Sequence, residues 1–224
     1  MKKQQVGFTL IELAIVLVII GLLLGGVLKG QELINSAKVK NMATDFKNIQ
    51  VYIYGYQDKY KALPGDDKFA DKNNADATLA APASSIGNGV INGAYNSTAP
   101  TDESALFWQH VRLAGLAAGP TNTSDDKYYP INADGGRIGI QSVSGFTKIT
   151  GPTAMTGAFV ICSEGILGKF ATQLDTTLDD GETSTGSVRA IADGTTGNAL
   201  TTADINDATP TPGPSDPYTV CMSF

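Results

Sequence analysis

Histidine and cysteine are scarce in this chain, which has one His and two Cys among 224 residues. That supply excludes most His-based metal sites and every four-cysteine metal site. Positive charge is also short, since the formal net charge is −6 at pH 7. An acidic chain has no general attraction for phosphate backbones, so nucleic-acid binding is disfavoured. These shortages also weigh against an enzyme.

The charge is unevenly distributed along the chain. Residues 1–60 carry 7 Lys against 4 Asp or Glu, whereas residues 61–224 carry 9 Lys or Arg against 18 Asp or Glu. A length of 224 residues suits one domain, or one domain with an appendage. A hydrophobic content of 42% is enough for a buried core. The N-terminal quarter therefore differs in character from the acidic remainder.

Residues 8–28 form an apolar run of 21 residues with one charge, Glu12, and no proline. As a helix this run would be roughly 30 Å long, which matches the hydrocarbon core of a bilayer. A secretory signal peptide is one alternative, but it would need a shorter run followed by a small-x-small cleavage site. A plain membrane anchor fits everything except Glu12, because a carboxylate within a spanning helix costs about 2.5–3.5 kcal/mol on insertion scales.

The segment from Gly7 to Leu13 reads GFTLIEL and follows a short leader with two lysines. It resembles the prepilin processing site of type IV pilins and type II secretion pseudopilins. The resemblance implies that a prepilin peptidase cuts between Gly7 and Phe8, that the new N-terminus is methylated, and that 217 residues remain. It also implies that Glu12 has the acidic assembly role of that family. The resemblance directly covers only residues 1–60.

A periodic apolar stripe continues beyond the membrane-length run. Its members alternate in steps of three and four residues: Val39, Met42, Phe46, Ile49, Ile53, Tyr56 and Tyr60. This spacing predicts one helix from Phe8 to about Tyr60, which Pro64 and Gly65 end. The stripe fits a helix docked on its own domain, and a coiled-coil seam is the alternative.

The chain departs from the family pattern at Lys29. Many type IV pilins have a proline at the corresponding position, and the helix loosens before it in the filament. Here four glycines at positions 21, 25, 26 and 30 are the available source of flexibility or of close helix contact. The sequence leaves open which of the two they provide.

The rest of the chain reads as short elements separated by loops. A helix is predicted from about residue 103 to near Gly115, and another over residues 168–178. The strand candidates are residues 128–129, 138–140, 146–149, 158–162, 187–191 and 218–224. Residues 65–101 and 199–217 read as loops. Together with the resemblance, this order predicts an α+β fold in which a long N-terminal helix packs on an antiparallel sheet, the pilin-like roll.

These patterns divide the chain into four segments. We expect a leader peptide over residues 1–7 and a transmembrane and filament-core helix over 8–28. An amphipathic continuation of the helix follows over 29–62, and a globular head occupies 63–224. Cys162 and Cys221, 59 positions apart, lie in apolar strand-like settings of that head. Export to an oxidising compartment would favour a disulfide between them, which the resemblance also supports; two buried free thiols are the alternative.

Other candidate sites carry little weight. His110 has no second histidine to accompany it and is expected to pack or to lie on the surface. Oxygen-rich stretches at residues 66–76 and 179–182 could hold Ca²⁺, although neither has the spacing of an EF-hand loop. Without a nucleophile motif, one histidine among many acidic residues does not indicate a catalytic triad. We therefore predict no catalytic residue and no cofactor, and leave metal binding open.

The sequence predicts a structural filament subunit and not an enzyme. It would be made as an inner-membrane precursor and polymerised through its apolar helix into a type IV pilus-like filament on the bacterial cell surface, with roles such as adhesion or motility. Its partners would be identical or related pilin subunits, prepilin peptidase and the inner-membrane assembly machinery. A type II secretion pseudopilin is the alternative of the same kind. A membrane-tethered enzyme or binding domain is the alternative of another class, and it would have no need of Glu12.

Overall fold

The computed structural model describes residues 10–150, 155–207 and 212–224. The chain divides into two compact units, Met1–Lys38 and Val39–Phe224. The helices are α1 (Leu10–Tyr60), α2 (Ala70–Asn73), α3 (Glu103–Leu113), α4 (Gly168–Leu178) and α5 (Thr202–Asn206). The strands are β1 (Ile138–Ser142), β2 (Phe159–Leu167), β3 (Val188–Ala192) and β4 (Pro217–Ser223). The predicted α+β class is therefore confirmed.

Helix α1 is 51 residues long. Its sequence contains no proline, so no residue within it lacks the backbone N–H that the helical hydrogen bonds require. The helix ends where Lys61 adopts a left-handed conformation with φ 56°, a common way to terminate a helix. The predicted long helix is confirmed from Leu10 onward, while Phe8 lies outside the described residues.

The apolar stripe of α1 is buried inside the second unit. The buried members are Val39, Met42, Phe46, Ile49, Ile53 and Tyr56, together with Ala43. They share one hydrophobic core with Phe107 and Val111 of α3 and with Ile140 and Ile161 of the sheet. Since the protein's own domain covers this stripe, the coiled-coil alternative is wrong for residues 39–56.

The four strands form one antiparallel sheet in the order β1-β2-β4-β3. Its side chains alternate between two faces, as the pleat of a strand requires. One face, which includes Ile161 and Val220, joins the core beneath α1. The opposite face carries a second cluster that contains Val160, Cys162, Ile191 and Cys221 from the sheet and Tyr95, Ile149 and Met155 from the loops. Both faces are therefore covered, which explains why the strands read as nearly continuous apolar runs.

Two of the strand candidates are wrong. Residues 128–129 form no strand, because the buried Tyr128 is held by α3: its hydroxyl donates to the carbonyl of Ala105 at 2.8 Å and accepts the N–H of Gln109 at 3.0 Å. Residues 146–149 contribute a single isolated bridge, between Ile149 and Gly197. In both places loop packing buries the apolar side chain that suggested a strand.

The two predicted loops are partly helical. Residues 65–101 include the single turn of α2. Residues 199–217 include α5, which begins with a capping box in which Thr201 and Asp204 each satisfy the other's backbone N–H. Residues 208–211 of that loop lie outside the described residues. The other predicted elements, α3, α4 and the four strands, appear within a few residues of their expected positions.

Candidate assembly segment and polar clusters

The first half of α1 exposes apolar side chains around its whole circumference. Every residue from Leu10 to Lys29 is exposed, including Leu10 at 90%, Leu17 at 69% and Leu22 at 73% of their full accessible area. A helix that is apolar on all sides is stable only when lipid or other protein surrounds it. In the described part of the chain, α1 is the one helix long and apolar enough to cross a membrane.

Glu12 lies in the first turn of α1 and is exposed. A carboxylate there interacts favourably with the positive end of the helix dipole. Gly7 and Phe8, the residues of the expected cleavage and methylation site, lie outside the described residues. In the sequence, Glu12 lies four positions after Phe8.

The glycines of the apolar segment leave room for a neighbouring helix. A Cβ atom built on Gly21, Gly25, Gly26 or Gly30 would have no other heavy atom within 4 Å, apart from the helix's own nearby backbone. Small residues spaced four apart allow helix backbones to approach closely inside a membrane or a filament core. The segment therefore has the surface of an element that packs against other helices.

Residues 2–28 match the family model described as the prokaryotic N-terminal methylation motif. No curated protein and no solved structure matches the chain. The matched segment contains the expected processing site and most of the apolar half of α1. Together with this long apolar helix, the motif is consistent with a type IV pilin-like protein and supports a prepilin-type pilin or pseudopilin. The motif points to a structural subunit rather than an enzyme. It also fits a precursor that is anchored in the membrane by the apolar helix.

A disulfide joins Cys162 and Cys221 in the second unit. The two residues face each other directly in the β2–β4 pair, with their Cα atoms 4.1 Å apart, and both are completely buried. The bond therefore links the two central strands on the face away from α1. In the described part of the chain no cysteine is free.

His110 is a buried structural residue of α3. Its Nδ1 accepts the N–H of Gly65 at 2.9 Å, and its Nε2 lies 2.9 Å from the carbonyl oxygen of Thr78. The ring stacks on Tyr56 with 6.1 Å between ring centroids. Burial lowers the pKa of His110, and this effect outweighs the opposing influence of the Thr78 carbonyl and of Asp67. The histidine is thus neutral and belongs to the packing of the domain, one of the two outcomes expected from the sequence.

The first oxygen-rich stretch uses its carboxylates within the fold. Asp66 accepts backbone N–H groups from Gly87, Asn88 and Gly89. Asp67 accepts the Tyr56 hydroxyl at 2.9 Å, the Asn73 amide at 2.8 Å and the Phe69 N–H at 2.8 Å. Both aspartates are buried. Their hydrogen bonds fix the chain that follows α1, so these two carboxylates have a structural role in the fold.

The second oxygen-rich stretch meets a carboxylate that the sequence interpretation missed. Asp175, in the last turn of α4, brings an oxygen within 4.8 Å of oxygens of Asp179 and Asp180. Asp175 is completely buried, and burial raises its pKa to about 6, with Asp179 and Asp180 contributing in the same direction. The four-residue spacing from Asp175 to Asp179 was the available signal, since helical residues four apart lie on the same face.

Proposed function

We propose that this protein is the structural subunit of a type IV pilus-like surface filament. The precursor is anchored in the inner membrane, and prepilin peptidase removes residues 1–7 by cutting between Gly7 and Phe8. The new N-terminal amine is methylated. The apolar half of α1 then leaves the lipid and enters a helical homopolymer, whose core consists of these helices and whose surface consists of the globular heads.

The observation that carries this proposal is the exposed, all-round apolar surface of α1 from Leu10 to Leu28. Removal of apolar surface from water contributes about 25 cal/mol per Å², so such a helix must stay covered either by lipid or by other helices. Lipid already provides that cover, so the transfer into a filament core depends on close packing at the glycines and on polar pairing between helices. The match of residues 2–28 to the N-terminal methylation motif supports a subunit of the prepilin type.

Glu12 gives the assembly its specificity in this proposal. Cleavage leaves a positively charged amine on Phe8, and the Glu12 carboxylate of one subunit meets the amine of its neighbour. In a core of low dielectric constant, the loss of one partner of such a pair typically costs 3–5 kcal/mol. A subunit that enters at the wrong axial position would suffer this cost, so the pair selects the correct register.

A type II secretion pseudopilin is the second candidate, because the methylation motif is common to both kinds of subunit. The disulfide between Cys162 and Cys221 and the large head favour a surface pilin, since a covalent cross-link protects a domain that leaves the cell. Lys29, at the position where many type IV pilins have a proline, favours the pseudopilin.

Electron microscopy of sheared filaments tests the proposal. Cells that produce the protein are sheared, and the released fraction is imaged and probed with an antibody against the head. We expect long fibres labelled along their length, which disappear when the gene is deleted and return with a plasmid copy. Short filaments confined to the periplasm would favour the pseudopilin, and monomeric membrane protein under all conditions would contradict both.

A further inference from the structure

A cluster of three carboxylates lies at the C-terminal end of α4. One carboxylate oxygen from each of Asp175, Asp179 and Asp180 lies within 4.8 Å of the other two. Oxygens that share a Ca²⁺ ion lie 2.3–2.6 Å from it, so they can be up to about 5 Å from one another. The oxygens of the cluster are therefore close enough together to share a Ca²⁺ ion after small adjustments of the side chains.

The buried member of the cluster has an oxygen that no described residue satisfies. Oδ1 of Asp175 accepts the N–H of Gly181 at 3.1 Å, whereas Oδ2 is buried and has no hydrogen-bond partner in the described part of the chain. A buried carboxylate oxygen without a partner costs a few kcal/mol, more than most folds leave uncompensated. A cation held between Asp175 and the two exterior aspartates would remove that cost.

The other two carboxylates are oriented by the protein. Asp179 accepts the N–H groups of Ser187 and Val188, at 2.5 and 3.1 Å. Asp180 accepts the Glu182 N–H at 2.9 Å and the Thr185 hydroxyl at 2.9 Å. Such outer contacts fix the direction of carboxylate ligands in metal sites. All of these donors are neutral groups, so they do not cancel the negative charges of the three carboxylates.

The cluster lies at the C-terminal end of α4, and the helix dipole adds to its negative charge. The C-terminal end of a helix carries a partial negative charge, which disfavours acidic side chains in its last turn. Here Asp175 lies in the last turn of α4, Asp179 caps the C-terminal end of the helix and Asp180 comes next, with Glu182 two positions further on. The arrangement is unfavourable for the protein alone and becomes favourable when a divalent cation binds.

We propose that Asp175, Asp179 and Asp180 bind one Ca²⁺ ion. Three carboxylates provide three to six of the six to eight oxygens that Ca²⁺ requires, and water completes the sphere on the side of the exposed Asp180. Mg²⁺ should bind more weakly than Ca²⁺, since it requires a small octahedral coordination sphere and keeps most of its bound water. The site suits the affinity range of extracellular modules, with a Kd of about 10⁻⁴–10⁻³ M.

Bound Ca²⁺ would hold together the segments that connect α4, β3 and α5. Next to the cluster, the Glu182 carboxylate accepts the Thr202 N–H at 2.9 Å, and the Thr202 hydroxyl donates to the Gly181 carbonyl at 2.9 Å. These bonds tie the turn after α4 to the start of α5. Fixing Asp179 and Asp180 on the ion therefore also fixes the position of α5.

Calcium titration of the full chain in detergent micelles tests the site. After removal of metals with a chelator, CaCl₂ and MgCl₂ are added in separate arms, and binding is followed by calorimetry and thermal unfolding. We expect one Ca²⁺ per chain, weaker Mg²⁺ binding, and a rise of the unfolding midpoint by about 4 °C at a Ca²⁺ concentration ten times the Kd.

Two variants and one control decide whether these aspartates are the ligands. Asp175→Asn and Asp180→Asn should each raise the Kd for Ca²⁺ by roughly tenfold or more, because each removes a charged ligand. Asp126→Asn makes the same change of charge at an exposed loop position and should leave the Kd unchanged. Asp180 is exposed, so its variant is expected to fold even if Asp175→Asn does not. The proposal is overturned if the wild type shows no Ca²⁺-dependent shift, or if Asp180→Asn binds Ca²⁺ as tightly as Asp126→Asn.

Discussion

Nδ1 of His110 accepts the backbone N–H of Gly65 at 2.9 Å, and this bond attaches α3 to the turn that follows α1. The opposite ring nitrogen, Nε2, faces the carbonyl oxygen of Thr78 at the same distance, so Nε2 carries the proton. A second proton on Nδ1 would break the bond to Gly65 and place a positive charge in the core. The neutral form of this histidine is therefore built into the fold.

Acidification below pH 6.5 should destabilise the protein through His110. Its pKa is about 6.5 in the unfolded chain and lower in the folded chain, so the unfolded state takes up a proton first. The contribution of neutral His110 to the stability of the folded state is complete above pH 6.5. It is lost as the pH falls toward the lower pKa that His110 has in the folded protein. Because the chain has one histidine, NMR can follow its ring protons directly. The nearby charged or titratable groups are Asp67, Tyr56 and Tyr60. A folded-state titration midpoint at or above 6.5 would contradict the prediction.

Replacement of Glu12 by alanine should abolish or strongly slow fibre formation without affecting the head. Glu12 is remote in sequence from the residues of the domain core, so folding, membrane insertion and cleavage should remain normal. The readout is the yield of sheared fibre relative to the amount of processed subunit in the membrane. Glu32→Ala is the matched control on the same helix, since Glu32 is exposed and pairs with Lys29 at 2.6 Å. Normal fibre yield from Glu12→Ala would remove the role assigned to Glu12.

Processing should depend on the size of residue 7. We expect protein isolated from cells to lack residues 1–7 and to carry a methyl group on Phe8, which intact-mass analysis would detect. Gly7→Ala should be cleaved more slowly, and Gly7→Leu hardly at all, if the peptidase requires a small residue before the cut. Gly26→Leu adds the same bulk away from the cut and should be processed normally. Recovery of only the 224-residue chain from assembled material would exclude cleavage.

Loss of the disulfide should destabilise the head substantially. For a separation of 59 residues, the chain-entropy model gives a contribution of about 4 kcal/mol. Cys221→Ser should lower the free energy of unfolding by about 2–5 kcal/mol, and wild-type protein in reductant should fall by a similar amount. Peptide mapping without reductant should yield one cross-linked peptide containing Cys162 and Cys221. Full alkylation of both thiols under those conditions would disprove the bond.

Most of the fold can be predicted from the sequence because its periodic signals are long. The stripe from Val39 to Tyr56 repeats with helical spacing over several turns, so a strand pattern cannot be mistaken for it. Residues Gly168–Leu178 of α4 show the same helical spacing of apolar residues. Tyr128 misled the interpretation because aromatic residues favour strands but also suit a buried site where the hydroxyl finds partners. Its hydrogen bonds to α3 depend on tertiary contacts that no local pattern contains.

The polar clusters could be predicted only in part, for a similar reason. Asp66 and Asp179 both stand in acidic stretches, and the sequence gives them equal weight as Ca²⁺ ligands. The fold distinguishes them. Asp66 accepts three backbone N–H groups, whereas Asp179 lies beside Asp175, whose Oδ2 is buried and has no hydrogen-bond partner among the described residues. Which acceptors remain unsatisfied is known only after the turns have formed.

The position of β4 between β2 and β3 governs the timing of folding during synthesis. β4 is the last of the four strands to be made, yet it is the hydrogen-bonded neighbour of both. In a chain anchored by its N-terminus, β3 must wait as an unpaired strand and Cys162 as a free thiol until Pro217–Ser223 emerges. The 59 positions from Cys162 to Cys221 take about 3–12 s to synthesise at roughly 5–20 residues per second. During that time the edges of β2 and β3 that will pair with β4 remain exposed. Whether the nascent domain folds or is degraded then depends on the relative rates at which chaperones, oxidases and proteases act on it.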